Sequence, residues 1–134
     1  MTTSDALVVL HVQGLPVPQG SMRTFVVKGR PVVTSANKNL AGWRRLIADM
    51  AQGHLPAPTD SPVVVDMTFS FPKPKSSPKR RLYPDGRPDL DKCVRAVLDA
   101  ITHILITDDS RVVGITARKV FGPPGVTLEL RRAG

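Results

Sequence analysis

Carboxylates are scarce in this chain, and the region from 89 to 109 holds nearly half of them. The 134 residues include 11 Asp and Glu against 19 Lys and Arg, for a formal net charge of +8. Five acids fall in this one region: Asp89, Asp91, Asp99, Asp108 and Asp109. A basic protein that concentrates its acids in this way is expected to bind a metal ion there or to position a general base.

An amphipathic helix is predicted between the two acid pairs. At about 100° per residue, one helical face carries the apolar residues Leu90, Val94, Val97, Leu98, Ile101 and Leu105. Asp89 is placed to be the N-cap, with its side chain accepting a backbone N–H, and Asp91 follows in the first turn, where the helix dipole favours an anion. We expect the helix to end near His103. A helix antiparallel to the strand predicted after Asp109 would bring the two acid pairs back into proximity.

Each acid taken singly has a simpler interpretation. Asp89 can be no more than a helix cap. Asp91 and Arg95, at positions i and i+4, can form an ordinary ion pair on the helix surface. The pair Asp108 and Asp109 can be a solvated turn. The joint pattern is what favours a functional site.

A basic segment rich in Pro and Ser, residues 72–87, leads directly into the first acid pair. Its six basic residues are Lys73, Lys75, Lys79, Arg80, Arg81 and Arg87. Long loops in compact domains are usually functional or disordered, and a run of charge can also be just a solvated face. Because a substrate that touches the acids would pass this loop, we predict that the loop binds a polyanionic partner.

The periodicity of the chain predicts one α+β domain over residues 1–134, with a mixed or antiparallel sheet and two main helices. The expected order is βββαβαββ. The predicted strands are Ala6–Val12, Thr24–Val27, Pro31–Thr34, Val63–Phe71, Val112–Val120 and Val126–Leu130. The first helix is expected over Lys38–Gln52.

Composition excludes several other classes of protein. No apolar run is long enough to span a bilayer and no cleavable signal pattern is present, so we expect a cytoplasmic protein without a membrane partner. The lone Cys93 cannot form an internal disulfide and is predicted to be a buried structural thiol. Three His without ligand-like spacing give no support for a zinc site.

The acidic region also resembles a known family. The runs Pro88 to Lys92, Arg95 to Ala100 and Asp108 to Val112 resemble the signature of the RusA family of Holliday junction resolvases. That signature is roughly P-D-x-D-N-x-x-K-x-x-x-D-A, then a loop, then D-D-x-x and an apolar residue. Weaker similarity extends to Pro16–Gly20 and to Lys73–Ser76. Two positions depart from the pattern, because the family usually has Asn in place of Lys92 and a functionally important Lys in place of Arg95.

The resemblance implies a Mg²⁺-dependent endonuclease, with Mn²⁺ as a substitute, that resolves four-way DNA junctions by paired symmetric nicks as a homodimer. A carboxylate-held Mg²⁺ lowers the pKa of bound water and neutralises charge on the phosphate. The motif match makes Asp89, Asp91 and Asp109 the expected catalytic metal ligands and Asp108 a weaker ligand. Arg95 keeps the charge of the family Lys and is expected to stabilise the phosphate, although it cannot easily donate a proton.

The same resemblance makes the six basic loop residues the expected contacts to branched DNA, and it implies a phage or prophage setting. Two other functions remain compatible with the residues. One is a non-catalytic basic nucleic-acid-binding protein whose acids cap a helix and form a turn. The other is a metal nuclease that acts on flaps or other branched DNA.

Overall fold

Apolar side chains at every second position from 63 to 71 are typical of a strand with one buried face, and this segment forms an interior strand of the main sheet. The computed structural model describes residues 6–20, 22–27, 30–35 and 39–134, and for 22–27 and 30–35 it describes the backbone. In chain order the elements are β1 (Ala6–Gln13), β2 (Met22–Val27), β3 (Arg30–Ser35), α1 (Leu40–Ala51), β4 (Val63–Phe71), α2 (Leu90–Ile101), a 3₁₀ helix (Asp109–Arg111), β5 (Val112–Phe121) and β6 (Gly125–Arg132). This is the predicted order, and the strand bounds agree to within three residues. The segment between the predicted strands Thr24–Val27 and Pro31–Thr34 falls largely outside the described residues.

The main sheet has four strands in the order β1-β6-β4-β5, and β2 pairs with β3 in a separate antiparallel ribbon. β4 runs parallel to β5 and antiparallel to β6, while β1 runs antiparallel to β6. The sheet is therefore mixed, and the predicted α+β class with two main helices is confirmed. Because β4 and β5 are parallel, α2 is the crossover that returns the chain between them.

One face of the sheet packs against both helices to form the core. Every second residue of β4 is buried, which places five of its side chains toward the helices. α1 contributes Leu40, Trp43, Ile47 and Ala51, at the spacing of a single helical face. Truncating a fully buried residue such as Ile47 to Ala is expected to cost about 2–5 kcal/mol. No helix in the described residues is long and apolar enough to cross a membrane.

The buried face of α2 differs from the predicted one. Its buried residues are Cys93, Ala96, Val97, Ala100 and Ile101. Val97 and Ile101, predicted on the apolar face, are buried. Leu90, Val94 and Leu98, predicted on the same face, are half-buried to one side of it. Small side chains allow a helix to approach its neighbours closely, which favours Cys93, Ala96 and Ala100 on the contacting face.

α2 ends at Ile101, two residues before the predicted end. The Thr102 hydroxyl donates to the Leu98 carbonyl at 2.7 Å. His103 then adopts a φ of 72°, a left-handed conformation common just beyond helix C-termini. Leu105 and Ile106 follow as fully buried residues, so the connection from the helix to β5 is anchored in the core.

The lone thiol is buried beneath the N-terminal half of α2, as predicted. Cys93 is 1% exposed. Burial raises the pKa of the Cys93 thiol to about 11, with Lys119 opposing the shift and Asp89 and Asp91 adding to it. The thiol therefore stays protonated at neutral pH and serves packing.

Native Cys93 is expected to react slowly with iodoacetamide at pH 8. A rise in pKa of about two units reduces the thiolate about a hundredfold, and burial limits access further. Mass spectrometry of the alkylated protein over time, with a urea-unfolded sample as control, measures the difference. Equal alkylation rates in the two samples would contradict the buried position.

Candidate active site

Asp89 occupies the predicted N-cap position of α2 but does not cap the helix with its side chain. Its backbone is extended, with φ −67° and ψ 137°, and among the described residues its side chain makes no capping hydrogen bond. The Asp89 carbonyl instead accepts from the Cys93 amide at 3.1 Å. The predicted capping bond is therefore wrong. The exposed Asp89 carboxylate is left available to a ligand.

Asp91 lies in the first turn of α2 and is exposed, as is Arg95 one turn later. The four ion pairs found within the described ranges do not join Arg95 to Asp91 or to Asp99. The ordinary ion-pair interpretation of this i, i+4 spacing is therefore not observed. Two exposed carboxylates and one exposed guanidinium stand at the N-terminal half of the helix.

Lys119, near the end of β5, holds the segment that carries Asp89. Its Nζ donates to the Gly86 carbonyl at 2.7 Å and to the Pro88 carbonyl at 2.8 Å. Lys119 pairs in register with Phe69, whose side chain is fully buried on the helix-covered face. The sequence analysis did not identify Lys119 as a functional residue. The alternation of side chains along β5 places this Lys on the inward face of the sheet, and that unusual position is the signal that could have identified it.

A large groove opens beside Asp89. It has a volume of about 930 Å³ and is lined by three chain segments and by Asp89, Lys92 and Phe121. The lining segments belong to residues 15–20, 71–74 and 81–88. The Gln19 amide donates to the Lys92 carbonyl at 2.9 Å, which fastens the first segment to α2. Residues 15–20 thus form one wall of the groove, and the N-terminus of α2 lies beside this wall.

The basic loop forms another wall, and part of it packs on Phe121. The Lys73 ammonium lies 5.5 Å and the Arg81 guanidinium 5.6 Å from the centre of the Phe121 ring, within the range of cation–π attraction. Arg81 also pairs with Asp85 at 3.0 Å. The remaining four basic residues are exposed: Lys75, Lys79, Arg80 and Arg87. Of the six cations, Arg81 and Arg87 line the groove that leads to Asp89. Lys75, Lys79 and Arg80 lie on the exposed surface of the loop.

The second acid pair lies at the opposite end of α2. Asp108 is the N-cap of the 3₁₀ helix, and its carboxylate accepts the Ser110 amide at 2.9 Å. Hydrogen bonds from the Ser110 hydroxyl and amide lower the pKa of the Asp108 carboxyl, and Arg111 and His103 lower it further. Asp108 is thus engaged locally, while Asp109 is exposed.

The expected proximity of the two acid pairs is not met within one chain. α2 has 12 residues, so about 18 Å of helix separates its ends. The far end of β5 contacts the Asp89 segment through Lys119, whereas Asp109 immediately precedes the start of β5. Across the described positions, no three or more His, Cys, Asp or Glu side chains come together to hold a metal. Asp89 and Asp91 alone fit the one or two carboxylates that Mg²⁺ typically takes.

Comparisons with known proteins find matches over most of the chain. The family profile described as "Endodeoxyribonuclease RusA" matches residues 14–131. The chain is also 31% identical over 132 residues to the uncharacterized protein YqaN of Bacillus subtilis (strain 168), covering 90% of this chain and 92% of YqaN. The match spans the groove, both helices and both acid pairs.

Replacing Lys119 by Met is expected to lower the free energy of unfolding by about 2 kcal/mol, because two carbonyls lose a charged donor. The matched control is Arg118→Met on the other face of β5, whose pair with the half-buried Asp66 spans 3.7 Å and should contribute at most about 1 kcal/mol. Urea unfolding measures both variants. Hydrogen exchange across 82–89 should accelerate in the Lys119 variant alone; equal effects in the two variants would contradict the anchoring role.

Proposed function

Because the chain belongs to the RusA family of endodeoxyribonucleases, we propose that it resolves four-way DNA junctions by paired, divalent-metal-dependent nicks. The family match confirms both the predicted family and the predicted enzyme class. The observation that supports the proposal is the juxtaposition of the exposed Asp89 carboxylate with a groove walled by the basic loop. A backbone of phosphates drawn into that groove passes the acids at the N-terminus of α2.

The donor set suits a hard cation. Carboxylate oxygens are the ligands that Mg²⁺ prefers, and Mg²⁺ keeps several waters when few carboxylates are offered. The side chains proposed to hold Mg²⁺, or Mn²⁺ as its substitute, are Asp89, Asp91 and Asp109, with Asp108 as a weaker ligand. A bound ion of this kind lowers the pKa of water and offsets charge on the phosphate. Asp108 is the weaker candidate because Ser110 already occupies its carboxylate.

The cationic residues divide between binding and positioning. The six cations of the basic loop bind the DNA backbone. Arg81 and Arg87 do so within the groove, and Lys73 and Arg81 are held against the Phe121 ring. Arg95, exposed one turn beyond Asp91, supplies positive charge to the scissile phosphate. Lys119 does not reach the substrate in this scheme; it positions Asp89 through the carbonyls of Gly86 and Pro88.

Paired nicks require two acid clusters that are related by the same symmetry as the two cleaved strands. A four-way junction has near-twofold symmetry, and a twofold homodimer supplies two clusters with the same symmetry. The proposed active species is therefore a homodimer acting on branched DNA.

Asp89→Asn, Asp91→Asn and Asp109→Asn are each expected to slow nicking of a synthetic four-way junction at least about a hundredfold, since each removes charge from the reacting centre. Junction binding should persist or tighten, because a carboxylate that repels phosphate is lost. Denaturing gels measure nicks in Mg²⁺, in Mn²⁺ and in EDTA, and native gels measure binding. Asp49→Asn, an exposed acid on α1, is the matched control and should cleave like the wild type.

Three results would count against the proposed function. Near wild-type cleavage by two of the three variants would remove these acids from the site. A wild-type protein that binds the junction but never nicks it with either cation would favour a non-catalytic binding protein. Nicking of flaps in preference to four-way junctions would point to a nuclease for other branched DNA.

Neutralising Lys75 and Arg80 together, each to Gln, is expected to weaken binding to every DNA shape. The slope of log K against log salt should fall by about 1.8, since each phosphate contact contributes about 0.9. Fluorescence anisotropy over a salt series measures the slope. Arg45→Gln with Arg132→Gln removes the same charge from exposed positions outside the basic loop and should leave the slope nearly unchanged. A matching fall in both double variants would show only an effect of net charge.

A further inference from the structure

Two adjacent apolar side chains of the basic loop are exposed beside the groove. Leu82 and Tyr83, the apolar pair, are 72% and 64% exposed, the two highest values among the large hydrophobic side chains that the structure describes. Single exposed apolar residues are ordinary, but adjacent ones within a basic loop indicate a contact surface. We infer that the apolar pair packs against bases at the branch point of a DNA junction, with the Tyr83 ring stacked on a base. The inference rests on the proposed function, because it takes branched DNA as the substrate.

The residues on either side of the apolar pair fix its position. Arg81 before it and Pro84 after it both line the groove, and Pro84 is buried. The Arg81 amide donates to the Pro78 carbonyl at 3.1 Å, and the Arg81 guanidinium lies 5.6 Å from the centre of the Phe121 ring. The apolar pair therefore stands at the rim of the groove and is anchored at both ends.

An ion pair closes the short turn that bears the apolar pair. Arg81 Nε lies 3.0 Å from Asp85 Oδ1, which joins the residues at the two ends of the turn. Within the turn the Asp85 amide donates to the Tyr83 carbonyl at 2.9 Å. A turn that is ordered before binding loses less conformational entropy when a ligand arrives. The contacts thus prepare the exposed side chains for binding.

Tyr83 is the aromatic residue best placed to stack on a base. It is the single Tyr of the chain, and the other four aromatic side chains whose burial the structure describes are buried or half-buried. The exposed Lys79 and Arg80 shortly precede it and attract phosphates to the same place. Stacking of bases on an aromatic ring tolerates any sequence, because every base offers a π face.

Stacking on a base would let a basic protein prefer branched DNA. Phosphate contacts position a protein on DNA but are offered by every DNA shape. In a continuous duplex the neighbouring base pairs cover both faces of each base, whereas stacking is interrupted where four arms meet. Insertion of an apolar side chain costs unstacking energy, and this cost is lowest where stacking is already broken. The apolar pair therefore adds affinity at a branch point and little along a duplex arm.

Tyr83→Ala is expected to weaken binding to an immobile four-way junction about tenfold and binding to a duplex of equal length less than about twofold, since one stacked base is lost. Fluorescence anisotropy in EDTA measures both affinities without cleavage, and circular dichroism verifies folding. The slope of log K against log salt should not change, because no phosphate contact is removed. Tyr83→Phe keeps the ring and should bind like the wild type. Met50→Ala, which removes a 45% exposed side chain from α1, is the matched control and should alter neither affinity.

Abasic sites in the DNA locate the contact. Junctions are prepared with one abasic site, placed in turn at each branch-point nucleotide or in the middle of an arm. Where Tyr83 stacks on the missing base, the abasic site should weaken binding of the wild type, and Tyr83→Ala should then cause no further loss. An abasic site in the middle of an arm should leave the full effect of Tyr83→Ala in place.

Three results would overturn the inference: equal losses of junction and duplex affinity in Tyr83→Ala, losses that add at every abasic position, or a wild type that binds junction and duplex equally. Nicking in Mg²⁺ is scored separately. A wild type that nicks junctions beside a Tyr83→Ala variant of unchanged selectivity would remove the stacking contact and leave the proposed function intact. A wild type that prefers junctions through Tyr83 but never nicks would instead defeat the proposed function and leave the stacking contact standing.

Discussion

Parallel pairing of β4 with β5 obliges the chain to travel back along the sheet between the two strands, and α2 makes that return. This one requirement fixes the direction of α2 and therefore places its N-terminus beside the groove. It also places Asp109, which immediately precedes β5, at the end of α2 that is opposite the groove. The burial of Cys93, Val97 and Ile101 holds the helix against the sheet in that direction.

Two side chains at the end of β5 hold the segments that border the groove. Lys119 satisfies two carbonyls of the Asp89 segment, and Lys73 and Arg81 rest on the Phe121 ring. Phe121 and Lys119 lie two residues apart on one face of β5. A single strand end thus organises both the segment that bears the carboxylate and the loop that bears the cations.

Sequence periodicity was sufficient for the order of elements, because strands such as β4 alternate cleanly and bury one face. The motif identified the acids and the family. The sequence was insufficient for the buried face of α2, where Ala96 and Ala100 are central because of what packs against them and not because of their own hydrophobicity. It was also insufficient for the distance between the acid pairs, because the direction of a crossover depends on the pairing of strands far apart in the chain.

The length of α2 sets the distance between the two acid pairs. Each residue of the helix adds about 1.5 Å of length and about 100° of rotation. Inserting one residue into α2 would therefore increase the distance between Asp91 and Asp109. It would also rotate the residues after the insertion, so that part of the buried face of α2 would turn out of the core. The loop from 72 to 88 carries no such constraint in its exposed part, and the entropic cost of lengthening a loop grows slowly. Length variation among related chains is therefore expected to accumulate before Asp89 and to be absent between the two acid pairs.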